Sequence, residues 1–330
     1  MADDAGEPRP EPELPVFDEA FVRGGIREPS AAERADRADR MAALERESEE
    51  ARQRQTVQRR PHRRLGRNLR RWIPTVLVVS VLLGVAWVQR PQSGSSYAAG
   101  GFLLDVDDGH RPTPSPAVDD VPLGVPSPTA TSDSYSFMDT QADGATPVAY
   151  DPCREIHVVI NGRTVPTGAE RVVHDALDEM SAITGLQFVV DGEVDEVPAA
   201  DREAFLPDRY GDRWAPVLIA WSDATEVPEL DGDVAGIGGS SRISVDGTKV
   251  YVSGMVALDG PSFDTFMSYP NGSELARAVV LHELAHVVGL EHVDDAQQLM
   301  YHDNVGRLVP QAGDRAGLVR LGQGACFPEL

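Results

Sequence analysis

Between Ala169 and Thr184, the residues Val172, Val173, Ala176, Leu177, Met180 and Ile183 recur at three- and four-residue steps. That spacing predicts a helix with one buried face. Gly185 suits its C-cap, because glycine accepts the left-handed backbone that ends many helices. Short apolar or β-branched runs surround it: Ile156–Ile160 before an Asn161-Gly162 turn, and Leu186–Val190 before an Asp191-Gly192 turn. Pro216–Trp221 and Lys249–Leu258 predict further strands, with glycine-rich chain at Gly236–Gly239 between them. Asn271 and Glu274 are spaced as a capping pair for a second helix, from about Ser273 to Val288. Asp314–Leu321 suits a last helix. The order predicts an α+β domain over 150–330, with helices packed on a twisted mixed sheet.

Upstream the periodicity is lost. Residues 1–30 are rich in Pro, Glu and Asp and predict disorder. Ala31 to about Gln55 predicts an exposed helix supported by opposite charges such as Glu33 and Arg37. Residues 52–71 then hold nine arginines and no acid. The next seventeen residues, Trp72–Val88, carry no charge and have tryptophan at Trp72 and Trp87. Such a run predicts one transmembrane helix, and the arginines on one flank predict a cytoplasmic N-terminus. A cleaved signal peptide would need a far longer n-region than usual. The expected organisation is therefore a cytoplasmic tail over 1–71, a membrane helix over 72–88, a Pro/Ser/Asp-rich extracytoplasmic linker over 89–149, and the folded domain over 150–330. The protein would be a single-pass protein of the cell membrane.

Charge narrows the partners. From Arg90 onward there are fourteen basic residues against thirty-eight acidic ones, a net of −24. Phosphate backbones would be repelled, so nucleic acid is not an expected partner. The only two cysteines, Cys153 and Cys326, bracket the domain. In an oxidising compartment they could form a disulfide; two buried thiols are the alternative.

The chemistry is concentrated in His282-Glu-Leu-Ala-His-Val-Val-Gly-Leu-Glu-His292, which has the form H-E-x-x-H-x-x-G-x-x-H. Residues four apart share a helix face, so His282 and His286 can meet one metal ion. Gly289 can turn the chain so that His292 returns as a third ligand. Glu283 stands where a general base would be needed. Three protein ligands with a fourth position open describe a catalytic zinc site. Five fixed positions make this pattern far more specific than H-E-x-x-H alone. The bland reading, a core helix with incidental histidines, would leave three imidazoles each needing its own polar partner.

Eight residues past His292 comes Met300, within Leu299-Met-Tyr301. The extended histidine pattern followed by this methionine resembles the matrixin branch of the metzincin metallopeptidases. The resemblance covers roughly 150–330 and is strongest at 282–301. It implies a zincin catalytic domain, one catalytic Zn²⁺ on His282, His286 and His292, Glu283 as general base, and Met300 supporting the histidines from below. It also implies a peptide or protein substrate pairing with the Lys249–Leu258 strand as a sheet edge. Val293 and His302 depart from the family pattern around the specificity pocket. Asp231, Asp233, Asp294 and Asp295 are of the type that binds Ca²⁺, with solvated acidic loops as the competing reading. Two alternatives to a peptidase are a zinc-binding pseudoenzyme used for surface docking or sensing, and a signalling protein acting through its tail.

Overall fold

A computed structural model of the chain describes residues 95–98, 101–106, 111–114, 121–302 and 306–330. The expected tail over 1–71 lies outside these residues, as does Trp72–Val88. Among the described residues no helix is long and apolar enough to cross a membrane. The longest, Gly272–Val288, has 17 residues and spends its apolar surface inside the domain, whereas a span needs about 20 residues facing lipid. The single-pass anchor, the membrane as a partner and the membrane localisation are accordingly corrected to what the described residues show: no helix among them carries an anchor, and Trp72–Val88 lies outside them.

One large mixed sheet dominates. Its strands are β1 (Ser95–Ala98), β2 (Gly101–Asp105), β4 (Glu155–Asn161), β5 (Gln187–Glu193), β6 (Val217–Ser222), β7 (Gly236–Val245) and β8 (Thr248–Asp259), in the order β1-β2-β7-β8-β6-β4-β5. A separate two-stranded sheet joins β3 (Ser136–Phe137) to β9 (Leu290–Glu291). β4 runs parallel to β5 and β6, and β6 parallel to β8, while β7 is antiparallel to β8. The helices are α1 (Val172–Thr184), the short α2 (Pro207–Tyr210), α3 (Gly260–Met267), α4 (Gly272–Val288) and α5 (Ala312–Leu321).

Helix α1 ends as its sequence predicts, at Gly185 with φ 78°. It packs on α4, which crosses β7 and β8. Strand alternation splits the sheet's apolar residues. Val158, Val217, Ile219 and Val256 join the main core with the helices, while Val159, Leu218, Ala220 and Met255 form a smaller cluster with Tyr210 and Val194. Between β5 and β6 the chain is tied back by the buried Arg202. Its guanidinium donates to Glu196, to the Ser253 hydroxyl, and to the carbonyls of Gly254 and Pro216. The disulfide Cys153–Cys326 joins the start of β4 to the C-terminal chain.

Several local expectations change. Asp191-Gly192 lies inside β5, at a point where the β4–β5 register shifts, instead of ending the strand. Gly236–Gly239 is the first part of β7 and not a connection. Lys249–Leu258 is an interior strand, flanked by β7 and β6, so it is no edge. Asn271 makes no side-chain cap for α4. Most consequentially, the described parts of the expected linker pack on the domain. Leu123 and Ser127 donate their amides to the carbonyls of Pro152 and Ile183, and Met138, Val148 and Ala149 are buried in the main core.

Candidate metal centre

Helix α4 carries His282 and His286 one turn apart on one face. It ends at Gly289, whose φ of 117° is left-handed. A Cβ there would approach the Tyr251 ring at 3.0 Å, Leu321 at 3.1 Å and the Val148 carbonyl at 3.2 Å, so backbone and space both select glycine. The chain then runs through β9 and brings His292 back to the other two. The Nε2 atoms stand 3.0 Å apart for His282 and His292, and 3.2 Å apart for His286 with either neighbour.

The opposite ring nitrogens fix the character of this cluster. Nδ1 of His282 donates to the Leu299 carbonyl at 2.9 Å, and Nδ1 of His286 to the Leu290 carbonyl at 2.7 Å. A carbonyl oxygen can only accept, so Nδ1 holds the proton and Nε2 of the neutral ring presents a lone pair. Lone pairs converging at these distances repel one another unless a cation lies among them. Three nitrogens about 2.0–2.1 Å from a tetrahedral ion would stand roughly 3.3 Å apart, close to the observed spacing. The residues therefore fit a metal, and His282, His286 and His292 could together hold one ion.

Glu283 is 2% exposed and faces β7. Gly236 and Gly238, two apart on that strand, make the approach feasible. A Cβ at Gly236 would lie 2.7 Å from Cγ of Glu283, and one at Gly238 would lie 2.3 Å from its backbone oxygen. The strand is thus cut back to backbone where the helix and the Glu283 side chain press against it.

Met300 is buried in the main core. Its backbone carbonyl accepts from the Val293 amide at 3.0 Å, closing the loop that carries His292. Asp314, at the start of α5, fixes the other side of the turn. Its carboxylate accepts from the amides of Leu299 (2.7 Å), Met300 (3.1 Å) and Gln311 (2.7 Å). Burial pushes Asp314 above the ordinary carboxylate range, against the pull of these backbone amides and of His282.

Upstream chain also frames the centre. β3 pairs with β9, and the Met138 amide donates to the Gly289 carbonyl at 2.9 Å. The Ser134 hydroxyl donates to Asp295 at 2.6 Å. Gly313 and Gly317 of α5 lie so close to Ser134 and Tyr135 that a Cβ would fall 2.1 Å from the Ser134 oxygen and 3.0 Å from the Tyr135 side chain.

Sequence reasoning found His282, Glu283, His286, His292 and Met300, but not Asp314, the glycine pair of β7 or the 134–138 strap. Two signals were available: the three-residue spacing of Gln311 and Asp314, which form a capping box, and the two-residue spacing of Gly236 and Gly238. Among the described residues Asp231, Asp233, Asp294 and Asp295 do not gather into a metal-holding group, and the carboxylate of Asp295 is engaged by Ser134 and Gln298. No protein-family model matches the chain, and no curated protein matches it.

Proposed function

We propose that this chain is a zinc-dependent endopeptidase of the metzincin type, matrixin-like in its histidine and methionine spacing. The observation that carries the reading is the convergence of the His282, His286 and His292 Nε2 atoms within 3.0–3.2 Å of one another, with a buried carboxylate, Glu283, on the helix that carries His282 and His286. Imidazole ligands suit zinc, and three of them leave one position open. Zinc held there would lower the pKa of a bound water toward about 7 and polarise a scissile carbonyl.

The protein's own groups supply the rest. The Leu299 and Leu290 carbonyls hold the His282 and His286 rings in the tautomer that directs Nε2 inward. Glu283 takes a proton from the attacking water on its carboxylate and delivers it to the leaving amine nitrogen. The glycines of β7 leave that carboxylate its place beside the helix. A peptide substrate rests on the matrixin-like spacing of the histidines and Met300.

Digestion of casein and of a peptide library by the full chain, before chelation, after chelation and after zinc is restored, tests this. Cleavage should vanish with the chelator, return with zinc and be absent in Glu283→Ala. Cleavage that survives chelation, or that Glu283→Ala retains, would refute the assignment.

A further inference from the structure

The three histidines are not oriented alike. Behind His282 and His286, each Nδ1 donates to a main-chain carbonyl, that of Leu299 or of Leu290. His292 lies beyond the helix, directly after β9. The charged group beside its Nδ1 is the carboxylate of Glu291, with Oε1 3.9 Å away. The same oxygen accepts from the His292 main-chain amide at 2.9 Å. That hydrogen bond folds the Glu291 side chain forward along the chain, against the ring of the residue that follows it.

The strands fix the placement. Glu291 pairs with Ser136, and Leu290 with Phe137, in the β3–β9 ladder. Both side chains are largely shielded from water, with 17% of Glu291 and 10% of His292 exposed. A separation of 3.9 Å is too long for a direct hydrogen bond, so the interaction is one of charge. Partial burial protects it from the screening that weakens a surface pair. A negative charge on the Nδ1 side favours the neutral tautomer that keeps its proton there. It also raises the basicity of Nε2, the atom that meets His282 at 3.0 Å and His286 at 3.2 Å.

We propose that Glu291 is the positioning residue of the third ligand: its carboxylate sets the His292 tautomer and strengthens Nε2 as a donor to a divalent metal ion. Glu291 acts through His292, which separates its role from that of Glu283. The proposal rests on His282, His286 and His292 holding a metal, and not on peptide hydrolysis. The competing account gives Glu291 a main-chain duty alone, as acceptor for the His292 amide.

The two accounts part at Glu291→Gln, which keeps a side-chain oxygen for that amide and removes the charge. Two readouts on the full chain decide between them: Zn²⁺ affinity by competition with a chromophoric chelator, and the visible absorption of the Co²⁺-loaded protein. Glu291→Gln should bind Zn²⁺ about 10- to 100-fold more weakly, the range for partners that orient a metal ligand, and should alter the Co²⁺ bands. Glu291→Ala should lose at least as much. Glu274→Gln, which removes an exposed acid from the first turn of α4, should change neither readout. Native affinity and spectrum in Glu291→Gln, with a loss confined to Glu291→Ala, would overturn the proposal. An equal loss in Glu274→Gln would overturn it too, by tracing the effect to net charge. A native chain that takes up neither Zn²⁺ nor Co²⁺ would overturn it together with the metal centre. Glu291-dependent metal binding in a chain that hydrolyses no peptide would uphold it and refute the peptidase reading alone.

Discussion

A Cβ added to Gly236 would lie 2.7 Å from Cγ of Glu283 and 3.0 Å from its Oε1. The obstructed atoms belong to a side chain, so Gly236→Ala should displace the carboxylate without unfolding the protein. Misplacing a catalytic group by about 1 Å costs on the order of 10²-fold in rate. The expected outcome is a loss of that size in kcat with metal content unchanged. Gly238→Ala should behave differently, because its Cβ would sit 2.3 Å from the Glu283 backbone oxygen and force helix from strand. Overpacking of this kind costs roughly 1–3 kcal/mol, read as a lower Tm.

Asp314 is expected to hold the methionine turn. Asp314→Ala removes the acceptor of three backbone amides, those of Leu299, Met300 and Gln311. Each buried donor left without a partner costs about 1–3 kcal/mol, so urea unfolding should report a loss of several kcal/mol. The Leu299 carbonyl also orients His282. Metal affinity, measured by chelator competition on the folded variant, should therefore fall about 10- to 100-fold, as for other partners that orient a ligand.

The histidine cluster was largely legible because its geometry is local. One helical turn relates His282 to His286, and Gly289 allows the return of His292. Helix α1 was legible by its periodicity, and β6 by a continuous apolar run, since strands buried on both faces read that way. β7 was not, because Gly236, Gly238 and Gly239 have no strand propensity of their own. Their place in the sheet comes from close contact with α4, a tertiary effect. The same holds for residues 121–149. Proline, serine and aspartate there read as linker, yet Ser134, Phe137 and Met138 are ordered by partners more than 150 residues away, at Asp295, Leu290 and Gly289. Helix α4 also hid its caps, since Asn271 does not use its side chain there.

The strap should matter to stability. Gly313→Ala would place a Cβ 2.1 Å from the Ser134 backbone oxygen, and Gly317→Ala would place one 2.6 Å from Leu290. Gly313→Ala should release Ser134–Met138 from α5. Hydrogen exchange would then show faster exchange at the Met138 amide, which now donates to Gly289.

The turn that follows this strap holds a carboxylate at Asp143. The Thr146 hydroxyl, helped by the amides of Ala145 and Thr146, holds Asp143 down at about 2, below its ordinary 3.8. A depressed carboxylate contributes stability that is present above its unfolded value and lost as pH falls toward its folded one. The stability difference between the native chain and Asp143→Asn should therefore be constant above about pH 5 and shrink as pH falls from there toward about 2. Urea midpoints measured across that range check it.

Cys153 and Cys326 are 173 residues apart in sequence. In the chain-entropy model a loop of that length adds about 5 kcal/mol. The double variant Cys153→Ser, Cys326→Ser should lose stability on that scale in denaturant. Because neither sulfur touches the histidines, any folded fraction should keep its metal.

The central claim is that His282, His286 and His292 hold a zinc ion whose chemistry needs Glu283. Metal content by mass spectrometry and hydrolysis of a quenched peptide library, measured together on the native chain and on Glu283→Ala, test it most directly. One zinc per chain in both proteins is predicted, with hydrolysis about 10²–10⁴-fold slower in the variant, the range a general base contributes. Stoichiometric zinc in both with equal hydrolysis, or with none in either, would contradict the account.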